Sequence, residues 1–253
     1  MADSVYNPRM RIPRICVFGP LAVGSEVTLP EQAGEHVARV LRLERGHPLV
    51  LFNGDGCEYR AEVTQLAKRA VGARVLAGIE AVDRESPLAL TLVQGVARGE
   101  KMDLILQKAT ELGVVRIVPV ISERTEVKLD AERTGRRLAH WQAVIAGACE
   151  QSGRSILPEL EPPQRLANWA AGLGDDPGLR LALDPEGDAT PRTLAAFRAA
   201  YLVVGPEGGL SDHDLGLLDQ AGFTGLRLGP RILRTETAGL AAIAALQALH
   251  GDL

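Results

Sequence analysis

Two rhythms of apolar and polar positions divide this 253-residue chain. Up to about residue 84 the apolar residues come in short, alternating runs. Strands are predicted at Ile15–Phe18 and Ser25–Leu29, with a helix over Glu31–Leu41 that sets Val37, Val40 and Leu41 on one face. Pro48–Phe52, a turn through Asn53-Gly54-Asp55-Gly56, and Cys57–Val63 read as a hairpin. Two more strands are predicted at Ala70–Ala77 and Ile79–Val82. The polar, proline-bounded stretch Asp83–Pro87 then marks a boundary, giving a β-rich domain over 1–84 and a second domain over 85–253.

From Leu88 the pattern becomes alternating strand and helix. Strands are predicted at Leu88–Val96, Arg116–Ile121, Leu179–Leu183, Tyr201–Val204 and Phe223–Leu228. Helices are predicted from an Asp103 cap to Leu112, over Ala131–Glu150, Leu166–Ala171 and Thr193–Ala199, from Ser211, and over Glu236–Leu249. Gly113 stops the first of these, and Ser211 with Asp214 forms a capping-box pair. Repeated β-α units imply a mostly parallel sheet covered on both faces. Ligands of such sheets sit beyond the carboxyl ends of the strands.

Three strands end in loops suited to that role: Leu183-Asp184-Pro185-Glu186-Gly187, Val204 followed by Gly205-Pro206-Glu207-Gly208-Gly209, and Leu228-Gly229-Pro230-Arg231. Glycine lets backbone groups approach a ligand closely. Each loop alone is also an ordinary turn. In the last, however, Arg231, Arg234 and Glu236 stand among Ile232, Leu233 and Ala238 at the foot of an apolar helix, where charges are costly unless paired or used.

Composition narrows the chemistry. The chain is 46% hydrophobic, enough for a sizeable core, and no run of eighteen apolar residues exists to span a membrane. The N-terminus lacks the apolar stretch of a signal peptide, which points to the cytoplasm. Cys16, Cys57 and Cys149 lack metal-ligand spacing and read as buried thiols, and the five histidines are scattered, so no metal is expected. There is no P-loop, no Rossmann glycine fingerprint and no nucleophile elbow. The net charge of −4 argues against a generally basic coat. Even so, Arg9, Arg11 and Arg14 near the start face only Asp3, and a local basic patch can bind phosphate on an acidic protein. From the residues alone, the reading is an α/β ligand-binding enzyme with a small β domain ahead of it.

The two C-terminal loops carry a resemblance as well. Gly205-Pro-Glu-Gly-Gly209 followed by Leu228-Gly-Pro-Arg-Ile-Leu-Arg-Thr-Glu-Thr-Ala238 closely resembles the signature of the RsmE family, uridine-N3 methyltransferases of small-subunit ribosomal RNA in the SPOUT superfamily. The likeness extends to Lys101–Gly113, Ser122–Thr125, His140-Trp141 and Glu150–Arg154. In the first domain it includes His36–Arg42 and Phe52–Gly56.

The resemblance implies an α/β trefoil-knot methyltransferase domain behind an N-terminal PUA-like β-barrel domain, and a homodimer. It implies S-adenosyl-L-methionine held by Leu183, Asp184, Gly205, Pro206, Glu207, Gly208, Leu228, Gly229, Ile232, Leu233 and Thr237. The partner would be 16S rRNA in the small ribosomal subunit, met by Arg9, Arg11, Arg14, Arg39, Arg42 and Arg154. Methylating N3 of uridine requires stabilising the uracil anion, for which Arg234 is the candidate, and accepting one proton, for which Glu207 and Glu236 are candidates. The competing readings are a SPOUT methyltransferase acting on another RNA and a non-catalytic RNA-binding assembly factor.

Overall fold

The computed structural model describes residues 12–67, 70–127 and 131–253. It divides into two units. The first is Met1–Arg84 together with Cys149–Leu157; the second is Glu85–Ala148 together with Pro158–Leu253. The sequence placed a single boundary near residue 84, and no local pattern there marks 149–157 as returning to the first unit.

The first unit is a five-stranded sheet of β1 (Arg14–Cys16), β2 (Glu26–Thr28), β3 (Pro48–Phe52), β4 (Glu58–Ala67) and β5 (Ala70–Ile79), in the order β1-β3-β4-β5-β2. β1 runs parallel to β3 and the remaining pairs are antiparallel. The hairpin predicted across residues 53–56 forms between β3 and β4. Register shifts at Arg60/Ala61 and Val63/Gln65 bend the long β4–β5 pair. The strand expected at Ile79–Val82 does not exist separately, because β5 simply runs on to Ile79. The core is Ile15, Val37, Leu49, Leu51, Val63, Val71 and Val75.

The predicted helix at Glu31–Leu41 differs in kind. Only α1 (Glu31–Glu35) is α-helical, and His36–Val40 follows as a wider π turn. The wider turn shifts the register, so Val37 is buried while Val40 is 66% and Leu41 37% exposed.

Inside this unit Arg14 makes a fan of bonds. Its Nε and Nη2 donate to Glu58 Oε1 at 3.0 and 2.7 Å, and Nη1 donates to the carbonyl of Cys149 at 2.8 Å. Nη2 also reaches the carbonyl of Arg154 at 3.1 Å, and the guanidinium lies 4.6 Å over the Phe52 ring. The Cys16 N–H donates to Glu150 Oε1 at 2.9 Å. Burial, then the neighbouring Glu150 and Cys149, pushes the Cys16 thiol up to about 12, leaving it inert. Cys57, expected to be buried, is exposed at the end of the 53–56 turn.

The second unit holds β6 (Ala89–Gly95), β7 (Arg116–Ile121), β8 (Glu159–Leu160), β9 (Gln164–Arg165), β10 (Leu179–Leu183), β11 (Ala199–Val204) and β12 (Thr224–Leu226). All pairings are parallel, in the order β12-β10-β11-β6-β7-β8, with β9 also on β7. Order reverses between β6 and β11, and such a switch point opens a crevice at the carboxyl ends of its strands. The helices are α2 (Glu100–Glu111), α3 (Ala131–Ser152, whose last turn groups with the first unit), α4 (Leu166–Ala171), α5 (Asp212–Gln220) and α6 (Thr235–His250). Trp169 of α4 packs between Tyr201 and Phe223, with ring centroids 5.9 Å apart in both cases, over Val93, Val118 and Val203 of the sheet. α2 packs on α6 across the opposite face.

Two helix expectations change. α2 starts at Glu100 behind Gly99 (φ 50°), so Asp103 lies within the first turn instead of capping it. Thr193–Ala199 is not helical. Thr193 Oγ1 instead bonds back to the N–H and carbonyl of Thr190, and the backbone enters β11 at Ala199.

Candidate functional site

The three loops singled out by their glycines and prolines do converge, at the carboxyl ends of β10, β11 and β12. They enclose a cavity of about 420 Å³, within the size range of small-ligand pockets. Leu183–Pro185 follows β10, Val204–Leu210 follows β11, and Leu226–Arg234 follows β12, with Thr235 and Ala238 of α6 closing the wall.

Their approach is close enough to dictate residue type. A Cβ on Gly205 would lie 2.7 Å from the Gly209 carbonyl carbon and the Leu210 nitrogen. A Cβ on Gly95, at the end of β6, would lie 2.5 Å from the Pro206 nitrogen. Side chains are therefore excluded where the loop must fold back, leaving backbone polar groups to face the cavity.

A buried polar knot fixes the loops. Thr235 Oγ1 donates to the Gly205 carbonyl at 2.6 Å and accepts from Gln94 Nε2 at 3.1 Å, while Gln94 also donates to the Gly95 carbonyl at 2.9 Å. Gln94 is wholly buried within an otherwise apolar strand. A fourth segment contributes from the loop after β7. Arg124 Nη1 donates to the carbonyls of Gly208 and Leu210, each at 3.2 Å. That loop is itself held by a Ser122–Thr125 turn and by Glu123 N–H donating to Asp214 Oδ1 at 3.3 Å, and Asp214 completes the capping box with Ser211.

Of the expected cofactor residues, Leu183, Asp184, Gly205, Pro206, Glu207, Gly208, Leu228, Gly229, Ile232 and Leu233 line this cavity. Thr237 does not. α6 begins at Thr235, so Thr235 faces inward, and Thr237, two positions round the helix, is exposed.

Of the expected catalytic residues, Arg234 lines the cavity as the residue immediately before α6, and Glu207 lines it too. Glu236 is not in the wall. Its Oε2 is buried without a hydrogen-bond partner among the described residues, 3.9 Å from Lys101 Nζ. Burial pushes the Glu207 carboxyl up. The Arg98 N–H it accepts at 3.0 Å, its own N–H and the Lys101 ammonium outweigh that and hold it below its ordinary 4.5.

Among the expected RNA contacts, Arg9 and Arg11 lie outside the described residues. Arg39 and Arg42 are exposed on the first unit, whereas Arg14 is held by Glu58 and Arg154 is only 2% exposed. Those two sit inside their unit because their guanidinium and backbone groups hold the 149–157 segment, so the surface role expected of them does not match their placement.

Comparison with known proteins matches two domain models. Residues 84–247 match the model of an RNA methyltransferase domain, and residues 29–76 that of an RNA methyltransferase PUA domain. The chain belongs to the RsmE family of RNA methyltransferases. Ribosomal RNA small subunit methyltransferase E of Buchnera aphidicola from Schizaphis graminum is 31% identical over 97% of this chain and 99% of its own length. The Aquifex aeolicus protein of the same name is 33% identical over 88% of this chain and 94% of its own. The crystal structure of a ribosomal RNA small subunit methyltransferase E from Neisseria gonorrhoeae bound to S-adenosyl methionine superposes with a TM-score of 0.88. It is 40% identical and covers 96% of this chain and 99% of that one. The fold is accordingly an α/β RNA methyltransferase domain preceded by a PUA domain.

Lys101, Arg124, Gln94 and Thr235 support the site from inside longer motifs or from outside any motif. Two carried a local signal: Gln94 interrupts an apolar strand, and Lys101 places a cation in the first turn of a helix, against its dipole.

Proposed function

We propose that this protein transfers a methyl group from S-adenosyl-L-methionine to N3 of a specific uridine in 16S rRNA of the small ribosomal subunit. The observation that carries the reading is the cavity itself: a backbone-lined cleft at the carboxyl ends of β10, β11 and β12, with the Arg234 guanidinium on its rim and a carboxylate, Glu207, in its wall.

The residues present fit the cofactor. Gly205 has no room for a Cβ, and a Cβ on Gly208 would meet Arg124 Cβ at 3.0 Å. That leaves backbone amides and carbonyls to hold an adenosine moiety, flanked by Leu183, Leu228 and Leu233. The bound cofactor supplies the methyl group as an electrophile.

Everything else falls to the chain's own side chains. Arg234 stabilises the negative charge spread over the uracil oxygens once N3 loses its proton, which a guanidinium does without giving up a proton of its own. Glu207, ionised at neutral pH and facing the cavity, accepts that proton, directly or through water. Glu236 anchors the start of α6, its charge also favoured by the helix N-terminus.

Arg39 and Arg42 serve as phosphate contacts on the PUA side. Their support is exposure, and the φ of 51° at Arg42, the one non-glycine at positive φ among the described residues. Such backbone strain gathers at working sites. A homodimer is proposed as well, supported by exposed Leu249 near the end of α6 and exposed Leu253 beyond it, and a cytoplasmic location follows from a ribosomal substrate.

The test is methyl transfer. Protein, S-adenosylmethionine and small subunits lacking their N3-methyluridine are incubated, and the digested RNA is analysed by mass spectrometry. N3-methyluridine is expected to appear. Cofactor binding without that product would move the target to another RNA, and loss of both would favour a non-catalytic assembly factor.

A further inference from the structure

Lys101 is the cation that joins the two carboxylates of this site. Its Nζ lies 3.6 Å from Glu207 Oε1 and 3.9 Å from Glu236 Oε2. Glu207 belongs to the loop after β11, and Glu236 to the first turn of α6, reached from the loop after β12. Lys101 itself comes from the first turn of α2, on the chain leaving β6. One ammonium thus touches both of the loops that must stay in register for the cavity to exist.

Its placement has no local justification. A lysine in the first turn of a helix sits against the positive end of the helix dipole, where an acidic residue is preferred. Glu236 Oε2 meanwhile is buried with no hydrogen-bond partner among the described residues, and the nearby ammonium offsets its charge. Each unfavourable placement is relieved by the other, and only in the folded arrangement.

We propose that Lys101 is a positioning residue for methyl transfer: by bridging Glu207 and Glu236 it fixes the Glu207 carboxylate toward the cavity, oriented to receive the uridine proton. It does not itself touch the reacting atoms. The argument rests on the methyltransferase reading given above for the proton's source, but the bridge itself does not. The other charged or polar groups facing Glu207 are the Arg98 N–H before α2 and Arg124, which is bonded to the carbonyl of the adjacent Gly208. The Arg98 side chain turns away to pair with Glu126. None of these reaches Glu236 as Lys101 does.

The test uses full-length protein and the variants Lys101→Met, Lys101→Arg, Glu207→Gln and Lys101→Met/Glu207→Gln. On undermethylated small subunits, Lys101→Met is expected to lower kcat by about tenfold or more, with KM and the calorimetric affinity for S-adenosylmethionine changed far less. Lys101→Arg should recover most of that loss. The double variant should be no slower than Glu207→Gln alone, because both changes remove one effect. Wild-type kcat in Lys101→Met, or losses that multiply in the double variant, would overturn the proposal. A readout independent of substrate runs beside this: the Glu207 carboxyl, followed by carbon-detected NMR, should titrate at higher pH in Lys101→Met and return in Lys101→Arg. An unmoved titration would overturn the bridge even if the natural substrate proved to be another RNA. A wild-type protein that makes no N3-methyluridine yet shows the shift would instead overturn only the assignment of reaction.

Discussion

Arg234 ends a loop and α6 begins at the next residue, so its guanidinium stands at the cavity rim while its backbone is fixed by the helix: its carbonyl accepts from Thr237 and Ala238 at 2.9 and 2.7 Å. Removing only the side chain should leave the wall intact. Arg234→Ala is expected to lower kcat by about 100-fold or more, while S-adenosylmethionine affinity, measured by calorimetry, changes little. Equal losses in both would make Arg234 a binding residue. A second residue-scale effect lies far from the chemistry. Burial pushes the Glu150 carboxyl above its ordinary 4.5, opposed by the Cys16 N–H it accepts and by His36 and Arg14. A raised folded value means that the folded state holds a proton the unfolded chain has released. The stability from that group is thus fullest below 4.5 and falls as pH rises through the folded value. Glu150→Gln keeps an acceptor for Cys16. It should flatten this decline and raise stability at neutral pH, read by urea unfolding across the acid-to-neutral range.

The elements of the site are loops made stiff by close backbone approach. At Gly205 a methyl group would occupy space held by Gly209 and Leu210 backbone. Gly205→Ala is therefore expected to weaken S-adenosylmethionine binding by about tenfold or more, roughly 1.4 kcal/mol, with the global unfolding transition much less affected. Wild-type affinity in calorimetry would show that the loop can open without cost. The 149–157 segment makes the opposite case, a piece of chain held largely by side-chain bonds, with Arg14 at their centre. Arg14 reaches Glu58 and the carbonyls of Cys149 and Arg154, and both partners of the ion pair are largely shielded from water. Arg14→Met leaves Glu58 without its cation and should destabilise the first unit by about 3 kcal/mol in urea unfolding. Adding Glu58→Gln should restore part of that loss.

For the whole molecule, sequence specificity cannot come from net charge, which is −4. Attraction to RNA must come from local patches. Among the described residues, Arg39 and Arg42 are the exposed pair of the expected contacts, although Arg39 also meets Glu35 at 3.1 Å. The double variant Arg39→Glu/Arg42→Glu is expected to weaken binding to the small subunit steeply. It should also reduce the slope of log affinity against log salt by about one to two, leaving cofactor affinity unchanged. An unaltered salt slope would remove this surface from the interface.

Strand and helix periods are local, and most of them were legible. β7, α4 and the capping box of α5 fall where apolar spacing and cap residues placed them. The three ligand loops were legible too, because glycine and proline at strand ends are themselves the physical requirement. Local pattern failed first where the same residues suit more than one local arrangement. The π turn at His36–Val40 changes which residues are buried without changing the pattern that suggested a helix. Thr193–Ala199 holds helix-forming residues but is drawn into turns and the start of β11. The same division runs through the site. Arg234 and Glu207 could be named from the sequence because they sit within the loops, but Lys101, Arg124 and Gln94 come from three other segments. The sequence by itself determined the elements, the glycine loops and the family, since these depend on neighbours a few positions away. Only the tertiary structure decided that Thr235 and not Thr237 faces the cavity, that Arg14 and Arg154 turn inward, and that one lysine joins two carboxylates. Those outcomes depend on contacts between residues as much as 141 positions apart along the chain.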